Sequence, residues 1–310
     1  MNCRHCKTPL THTFVDLGFA PLSNAYLTAE DLNKPEKYYP LKVKVCDHCW
    51  LVQTEDYVQA DDIFNADYSY FSGTSSSWLL HTKTYAEQMI KTFNLNNNSL
   101  VIEVAANDGC LLRNFLDKGI PCFGIEPASS SYNEAKKIGI PMLNEFFCED
   151  LGQQLNKEGK QADLIIGNNV YAHVPDINDF TKGLKAVLKP NGTITLEFPH
   201  LMRLLEHVQF DTIYLEHFSY LSLYTVCRIF SAADLHVWHV EQIPTHGGSL
   251  RIYGCHIENK KSLSNELQIL LKKEAMLEMQ TVKPYTNFQQ RADKIKNDLL
   301  EFLIMQKKCG

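Results

Sequence analysis

The sequence predicts an α/β protein, in which helices cover a mostly parallel sheet and a small metal-binding module precedes it. Two observations support this fold class. From residue 100 onward, short apolar strands alternate with helical stretches, and strands of this kind are typical of a parallel sheet that is buried on both faces. Before residue 60, two Cys-x-x-Cys pairs stand among short strands and turns. The 310 residues suffice for two domains, or for one domain with large additions.

The N-terminal module is defined by four cysteines in two pairs. The pairs are Cys3-x-x-Cys6 and Cys46-x-x-Cys49. A gap of two residues lets both sulfurs of a pair face one ion, so the four thiolates predict a structural Zn²⁺ site without an open position for catalysis. The alternative is a pair of unrelated reduced turns. His5 and His48 lie inside the pairs and could replace a ligand, although four cysteines suffice.

The central part of the chain follows a repeated order of strand, turn and helix. Strands are predicted at 100–105, 122–126, 141–143, 163–167 and 193–198. Helices are predicted near 110–117, 129–138, 149–157, 178–188 and 223–233. Two further strands, at 237–243 and 249–257, flank a tight His246-Gly247-Gly248 turn and should pair antiparallel at the sheet edge. Five parallel strands finished by an antiparallel hairpin are expected of a class I methyltransferase with a Rossmann-like sheet, whereas a dinucleotide dehydrogenase would continue with parallel strands.

Three regions are therefore predicted. They are a zinc-binding module at 1–65, a methyltransferase domain at 66–258 and a helical region at 259–310. Short strands are expected at 14–18 and 41–45, and a serine among residues 75–77 can cap the first helix of the second region. The helical region should be broken at Pro284.

Composition argues against several classes of partner. The net charge of −6, from 30 basic and 36 acidic residues, gives no reason to expect nucleic acid or a membrane surface as a partner. No apolar run approaches the roughly 20 residues that span a bilayer. The N-terminus lacks the apolar core of a signal peptide, so we expect a cytoplasmic protein. We also expect a monomer or a homodimer that acts on a small molecule.

A cofactor site is predicted where the central strands end. The first strand runs into a 103–109 loop that keeps only Gly109 of the three glycines needed against a pyrophosphate. A cofactor without phosphates, S-adenosylmethionine, suits such a loop better. Glu126 ends the second strand, where a carboxylate would accept hydrogen bonds from both ribose hydroxyls. Considered individually, each of these residues could be an ordinary polar residue of a surface loop without a ligand. The predicted cofactor-binding residues are Glu103, Ala105, Asn107, Gly109, Glu126, Asn168 and Asn169.

The 214–220 segment places a tyrosine, a glutamate and a histidine in an otherwise apolar and aromatic run. Desolvated side chains of these types can transfer protons near neutral pH. The alternative is a buried histidine whose polarity is satisfied by the neighbouring carboxylate.

Several motifs together resemble the sugar C-methyltransferases of deoxysugar biosynthesis. The motifs are the two Cys-x-x-Cys pairs, Gly124-Ile125-Glu126-Pro127, the runs at 103–109, 169–176 and 210–220, and His246-Gly247-Gly248-Ser249-Leu250-Arg251. The resemblance runs from the first cysteine to the last residue, and Tyr214-Leu215-Glu216-His217 is its most specific motif. It implies an N-terminal zinc module, a central S-adenosylmethionine domain and a C-terminal domain that helps to hold a nucleotide-linked ketosugar. Members of the family continue beyond the end of this chain, so we expect the family's C-terminal domain to be truncated here.

The resemblance also implies roles for five residues. Carbon methylation beside a ketone needs a base for the α-proton and donors for the resulting enolate. His217 is the expected base, and Glu216 would orient the site or tune its charge. Tyr214 and His173 would donate toward the enolate oxygen, and Tyr68 matches a tyrosine that reaches the substrate. For His173, a capping or core histidine is the alternative.

Three other functions stay open at this point. A methyltransferase acting on oxygen or nitrogen of another small metabolite would not need residues that can form an enolate. A binding or scaffold protein would retain the methyl donor but fail to bind a deoxysugar nucleotide. A dehydrogenase is disfavoured, because the glycine pattern is wrong.

Overall fold

The computed structural model describes residues 1–64 and 68–310. Its strands are β1 (His12–Ala20), β2 (Tyr39–Val45), β3 (Val52–Thr54), β4 (Val101–Val104), β5 (Cys122–Ile125), β6 (Met142–Leu143), β7 (Ala162–Asn168), β8 (Leu188–Pro199), β9 (Ser219–Tyr220), β10 (Leu235–Ile243) and β11 (Ser249–His256). Its α-helices are α1 (Ala60–Ile63), α2 (Ser76–Phe93), α3 (Leu112–Leu116), α4 (Ser129–Lys137), α5 (Glu149–Lys157), α6 (Ile177–Val187), α7 (Leu201–His207), α8 (Leu223–Ala232), α9 (Asn265–Met276) and α10 (Phe288–Cys309). Short 3₁₀ helices include Ser72–Thr74, Tyr171–His173 and Phe210–Thr212.

The large sheet has the order β10-β11-β8-β7-β4-β5-β6. The pairs from β8 through β6 are parallel, and β11 runs antiparallel to both of its neighbours. Residues of β4 and the middle of β7 are fully buried, because helices cover both faces of the sheet. The predicted class I methyltransferase architecture is confirmed.

Strand β8 begins earlier than the predicted 193–198. The pairing with β7 shifts register between Leu188 and Thr193, so Pro190 and Gly192 lie in an irregular stretch of extended chain. The Pro-Asn-Gly sequence at 190–192 indicates a loop. The chain is extended here instead, and the fixed φ of proline is compatible with this conformation. The missing N–H of Pro190 is tolerated because the regular hydrogen-bond ladder starts only after it.

The N-terminal module is a second sheet of order β1-β2-β3-β9. Its last strand comes from a distant part of the chain: Val52 pairs with Tyr220, and Gln53 with Ser219. The module also shares one hydrophobic core with the large sheet, in which Phe14 and Val43 belong to the same buried cluster as Ile165. The predicted boundary between the zinc-binding module and the methyltransferase domain, between residues 65 and 66, falls among Asn65, Ala66 and Asp67, which lie outside the described residues.

The helical region packs first on the large-sheet domain through α9, then on the N-terminal module through the start of α10, and ends in solvent. The Phe288 ring packs 4.3 Å from Phe14, between centroids, and the Glu274 side chain is fully buried against His200. Toward its end α10 exposes apolar side chains, among them Leu299 and Phe302, which are 55% and 56% exposed. Among the helices of the described residues, we find none long and apolar enough to cross a membrane.

Candidate active site

A cavity of about 670 Å³ opens at the carboxyl end of the parallel strands. One part of its lining, here called the cofactor wall, ends or follows strands β4, β5 and β7 and consists of Ala105, Asn107, Glu126, Asn168 and Asn169. A second part, the histidine wall, consists of Tyr68, His173, Tyr214, Glu216 and His217. All ten residues were singled out from the sequence, and one cavity brings them together.

The remaining two predicted cofactor residues are not part of this lining. Glu103 is buried within β4, and burial raises its carboxyl pKa well above the usual value. Gly109 has φ of +76°, and a Cβ there would lie 2.9 Å from the Ile140 side chain. Gly109 therefore shapes the loop by its backbone and by close packing, and its contact with the cofactor stays a prediction.

The cofactor wall is built on unusual backbone conformations. Ala105, Asn107 and Asn169 have φ of 56°, 50° and 55°, in the left-handed region that L-residues with a Cβ seldom adopt. Such strain is concentrated at ligand sites, where surrounding contacts hold it in place. Here the Asn107 amide nitrogen donates to Glu126 Oε2 over 2.9 Å, which fixes the loop after β4 to the end of β5.

Glu126 is the carboxylate of the cofactor wall. Its Oε1 also accepts from the Ala128 amide nitrogen at 2.8 Å. Burial nevertheless dominates and raises the pKa of Glu126 to about 7. Each carboxylate oxygen can accept more than its one backbone bond, and Glu126 lines the cavity, so its ionised form can accept two hydroxyl groups there.

The side chain of Asn168 provides a test of whether this wall fits a ligand. Its Nδ2 and Oδ1 are both buried, and neither has a hydrogen-bond partner among residues 1–64 and 68–310. A buried amide without partners costs about 1–3 kcal/mol for each unsatisfied group. Because Asn168 lines the cavity, a bound molecule with a donor and an acceptor would satisfy it, as the amino acid and ribose parts of S-adenosylmethionine can.

In the histidine wall, hydrogen bonds define the tautomer of His217. Its Nδ1 lies 2.9 Å from the Thr212 carbonyl oxygen, and its Nε2 lies 3.0 Å from the Tyr214 hydroxyl. A carbonyl oxygen only accepts, so Nδ1 carries the hydrogen and Nε2 keeps a lone pair that accepts from Tyr214. Burial lowers the pKa of His217 to about 4, so the ring is neutral at pH 7.

His173 lies beside His217, with 4.7 Å between the ring centroids. A hydrogen bond joins its imidazole to the Glu216 backbone, while its buried Nδ1 lacks a partner within the described part of the chain. Burial and the neighbouring His217 lower its pKa well below the usual value, so both imidazoles are neutral together. Two neutral rings at this separation avoid the repulsion of a buried charge pair.

Glu216 is held by side chains from two other segments. Asn24 Nδ2 donates to its Oε1 at 2.8 Å, and the Tyr68 hydroxyl donates to its Oε2 at 3.5 Å. Burial raises the pKa of Glu216, and burial with the adjacent Glu216 raises that of Tyr68. Sequence reasoning missed Asn24, since a polar residue in an N-terminal loop carries no pattern that points to this cavity.

The segment that carries Tyr68 is attached to the cofactor wall. The Ser72 amide donates to Asn107 Oδ1 at 2.9 Å, and the Gly73 amide donates to Asp108 Oδ2 at 2.7 Å. The Ser130 hydroxyl donates to the Tyr68 carbonyl oxygen at 2.7 Å. These bonds join the two walls directly.

The four predicted metal ligands are also brought together. Their sulfur atoms all lie within 4.8 Å of one another, with 3.4 Å between Cys3 and Cys49 and 3.5 Å between Cys6 and Cys46. A tetrahedral Zn²⁺ with bonds of about 2.3 Å requires sulfurs about 3.8 Å apart. The Gln53 amide donates to Cys3 Sγ at 3.3 Å, which suits a thiolate. The site therefore fits structural zinc.

Comparisons with protein families match three spans of the chain. A model described as "Methyltransferase domain" matches residues 79–240, more than half of the chain. A model described as "Putative zinc binding domain" matches residues 3–64, which include the four clustered cysteines. A model described as "C-methyltransferase C-terminal domain" matches residues 244–310.

Individual relatives agree with these matches. The C-methyltransferase NovU of Streptomyces niveus is 32% identical over 251 residues, which make up 81% of this chain and 60% of that protein. The chain thus spans about 60% of the length of this curated relative. Among solved structures, the PH0226 protein of Pyrococcus horikoshii OT3 superposes with a TM-score of 0.50 at 15% identity, over 60% of this chain and 94% of that chain. This similarity concerns the fold alone.

Proposed function

This chain belongs to the methyltransferase domain family, and on that premise we propose that it methylates a carbon next to the ketone of a nucleotide-linked 4-keto-deoxysugar, with S-adenosylmethionine as methyl donor. The match to a C-methyltransferase C-terminal domain and the similarity to NovU support carbon as the acceptor. The ketosugar is inferred from the resemblance to sugar C-methyltransferases. We also propose a cytoplasmic reaction, because the four thiols must stay reduced to bind zinc.

One observation carries the proposal of an enolate mechanism. The Nε2 lone pair of His217 faces Tyr214, within the same cavity as the cofactor wall. This pairing supplies a base and a hydroxyl donor side by side. A methyltransferase acting on oxygen or nitrogen would need positioning of its acceptor, but no such pair.

In the proposed reaction, His217 Nε2 removes the proton from the carbon beside the ketone. The C–H electron pair moves into the ketone, and the Tyr214 hydroxyl turns from Nε2 to donate to the enolate oxygen. The Thr212 carbonyl accepts from Nδ1–H and stabilises the imidazolium that forms. Glu216 orients Tyr68 toward the substrate. His173, beside His217, would donate its ring N–H to the same enolate oxygen in place of the Glu216 backbone.

The cofactor wall would hold the methyl donor. Glu126 would accept the ribose hydroxyls, and Asn168 would bind a polar group of the amino acid end. When bound, S-adenosylmethionine supplies an electrophilic sulfonium methyl to the nucleophilic carbon. The walls exclude water from that carbon, which protects the enolate from reprotonation.

The test is incubation with labelled methyl donor and a panel of nucleotide ketosugars, with hydroxyl and amine acceptors as alternatives. We expect label on carbon and, without the donor, exchange of the α-proton with deuterium from solvent. Label only on oxygen or nitrogen, together with no exchange, would contradict the proposal. Tight binding of the donor with no turnover of any acceptor would instead favour a binding protein.

A further inference from the structure

Arg4 links the metal module to both catalytic histidines. We propose that Arg4 is a positioning residue, which holds the segments of His173 and His217 in register from within the first Cys-x-x-Cys pair. The inference rests on the proposed function, because it assumes that these two rings act on the substrate. Arg4 stands between Cys3 and Cys6, and its side chain is only 5% exposed.

The guanidinium bonds to two segments that are far apart in sequence. Its Nη1 donates to the Pro175 carbonyl oxygen at 2.7 Å, and its Nη2 donates to the Thr54 carbonyl oxygen at 3.1 Å. Nη2 also pairs with Asp56 Oδ1 at 2.7 Å, which balances the buried positive charge.

Each of the two carbonyl contacts connects Arg4 to the chain segment of one histidine. Pro175 follows His173 by two residues, in the loop after β7. The Thr54 hydroxyl donates to the His217 carbonyl oxygen at 3.3 Å, and the Thr54 amide donates to the Phe218 carbonyl oxygen at 3.2 Å. The guanidinium carbon also lies 5.4 Å from the centroid of the Phe218 ring.

This arrangement calls for arginine. A planar group with five N–H donors can reach two carbonyl oxygens and one carboxylate at once, whereas a lysine ammonium is a compact point charge. The backbone of Arg4 is held as well, since its amide donates to Gln53 Oε1 at 2.9 Å and Gln53 donates to Cys3. The ligand pair, Arg4 and the two histidine segments therefore form one connected set of contacts.

The consequence concerns the role of the metal. Ligation of Cys3 and Cys6 would fix the backbone on both sides of Arg4, and so would fix the position from which its guanidinium reaches Pro175 and Thr54. Zinc would then affect the separation of the two imidazoles without contacting the substrate.

The test compares Arg4→Lys and Arg4→Ala with a matched control, Arg228→Ala. Like Arg4, Arg228 donates to a backbone carbonyl, that of His48 inside the second ligand pair at 3.0 Å, and lies over an aromatic ring, that of Tyr224. It is not among the described residues that line the cavity. Zinc content, thermal stability, the kcat and KM for the methyl donor, and the ¹⁵N imidazole signals are measured for each variant.

We expect both Arg4 variants to keep their zinc and their KM for the donor, while kcat falls on the order of 10–100-fold from misplacement of the catalytic groups. The imidazole signals of His173 and His217 should shift, and millimolar guanidinium should restore part of the kcat of Arg4→Ala. The control should match the wild type. If Arg4→Ala fails to fold, Arg4→Lys decides.

Two kinds of failure can be told apart. Absence of methyl transfer to carbon by the wild type would refute the proposed function. The imidazole signals would still show whether Arg4 positions the two histidines. Unchanged histidine signals with wild-type kcat in Arg4→Lys would overturn the positioning role. A drop in thermal stability without either change would reduce Arg4 to a structural residue.

Discussion

The two walls of the cavity are constructed in different ways. The cofactor wall lies at the ends of adjacent strands, so the register of one sheet sets the positions of Ala105, Glu126 and Asn168. The histidine wall is assembled from separate segments: Asn24 of the metal module donates to Glu216 within it, and Arg4 donates to Pro175, two residues after His173. We therefore expect changes in the module to affect chemistry, and changes at the strand ends to affect binding of the donor.

The largest effect is expected from His217→Asn. The asparagine amide can keep the bond to the Thr212 carbonyl but supplies no base, so methyl transfer and α-proton exchange should fall about 10²–10⁴-fold. Affinity for S-adenosylhomocysteine, measured by calorimetry, should not change. His236→Gln is the control, because His236 also bonds to a backbone carbonyl but is not among the described residues that line the cavity. Retained exchange in His217→Asn would remove His217 as the base.

Glu126→Gln tests the opposite wall. Loss of the charged acceptor should weaken binding of S-adenosylhomocysteine by about tenfold or more, while α-proton exchange in the absence of donor stays at the wild-type rate. Glu134→Gln on the exposed face of α4 is the control. A loss of exchange equal to the loss of affinity would show that the walls are not separable.

The two walls should also respond differently to pH. Above a pKa of about 7, Glu126 is ionised and, in the proposed complex, would accept both ribose hydroxyls; below it, protonation would remove an acceptor. Affinity for S-adenosylhomocysteine should therefore fall by up to about tenfold per pH unit below 7, and Glu126→Gln should abolish this dependence. His217 stays neutral down to a pH of about 4, so its protonation should not slow exchange between pH 8 and 5. An exchange rate that falls with decreasing pH near 6.5 in the wild type, but not in His217→Asn, would contradict the assignment of a neutral His217 in this range.

The smallest effect is expected from Tyr68→Phe. The hydroxyl lies 3.5 Å from Glu216, a long hydrogen bond, so its removal should lower kcat by roughly 2–10-fold. Binding of the donor should not change, since the segment is held to the cofactor wall through backbone groups of Ser72 and Gly73. Steady-state kinetics is the measurement, and Tyr57→Phe is the control, because Tyr57 is exposed and its hydroxyl bonds to Glu55. A larger loss of kcat in Tyr68→Phe would indicate a direct role in the chemistry.

Local patterns explain what could be predicted from the sequence. Alternating strands and helices predict the large sheet, and the rule that ligands bind at carboxyl ends of parallel strands places Glu126 and Asn168. The cysteine spacing predicts the metal cluster, because both pairs are local motifs. The zinc-site geometry agrees with that prediction. The roles of individual residues in the histidine wall stay predictions.

Contacts between distant segments explain what could not be predicted. Strand β9 is two residues long and pairs with β3 in another module, and so short a run has no periodicity to recognise. Asn24 and Arg4 reach the cavity region through tertiary packing. The packing at Gly109 also depends on tertiary structure, since a Cβ at this position would meet Ile140 of the core.

The pairing of β9 with β3 has a consequence for the order of events during synthesis. All four cysteines precede residue 50, so metal can bind while most of the chain is still being made. The sheet that surrounds them, however, is completed only when Ser219 and Tyr220 have left the ribosome, after β8. The same residues follow His217 with only Phe218 between them. We therefore expect closure of the first sheet and formation of the histidine wall to be a single late step of folding.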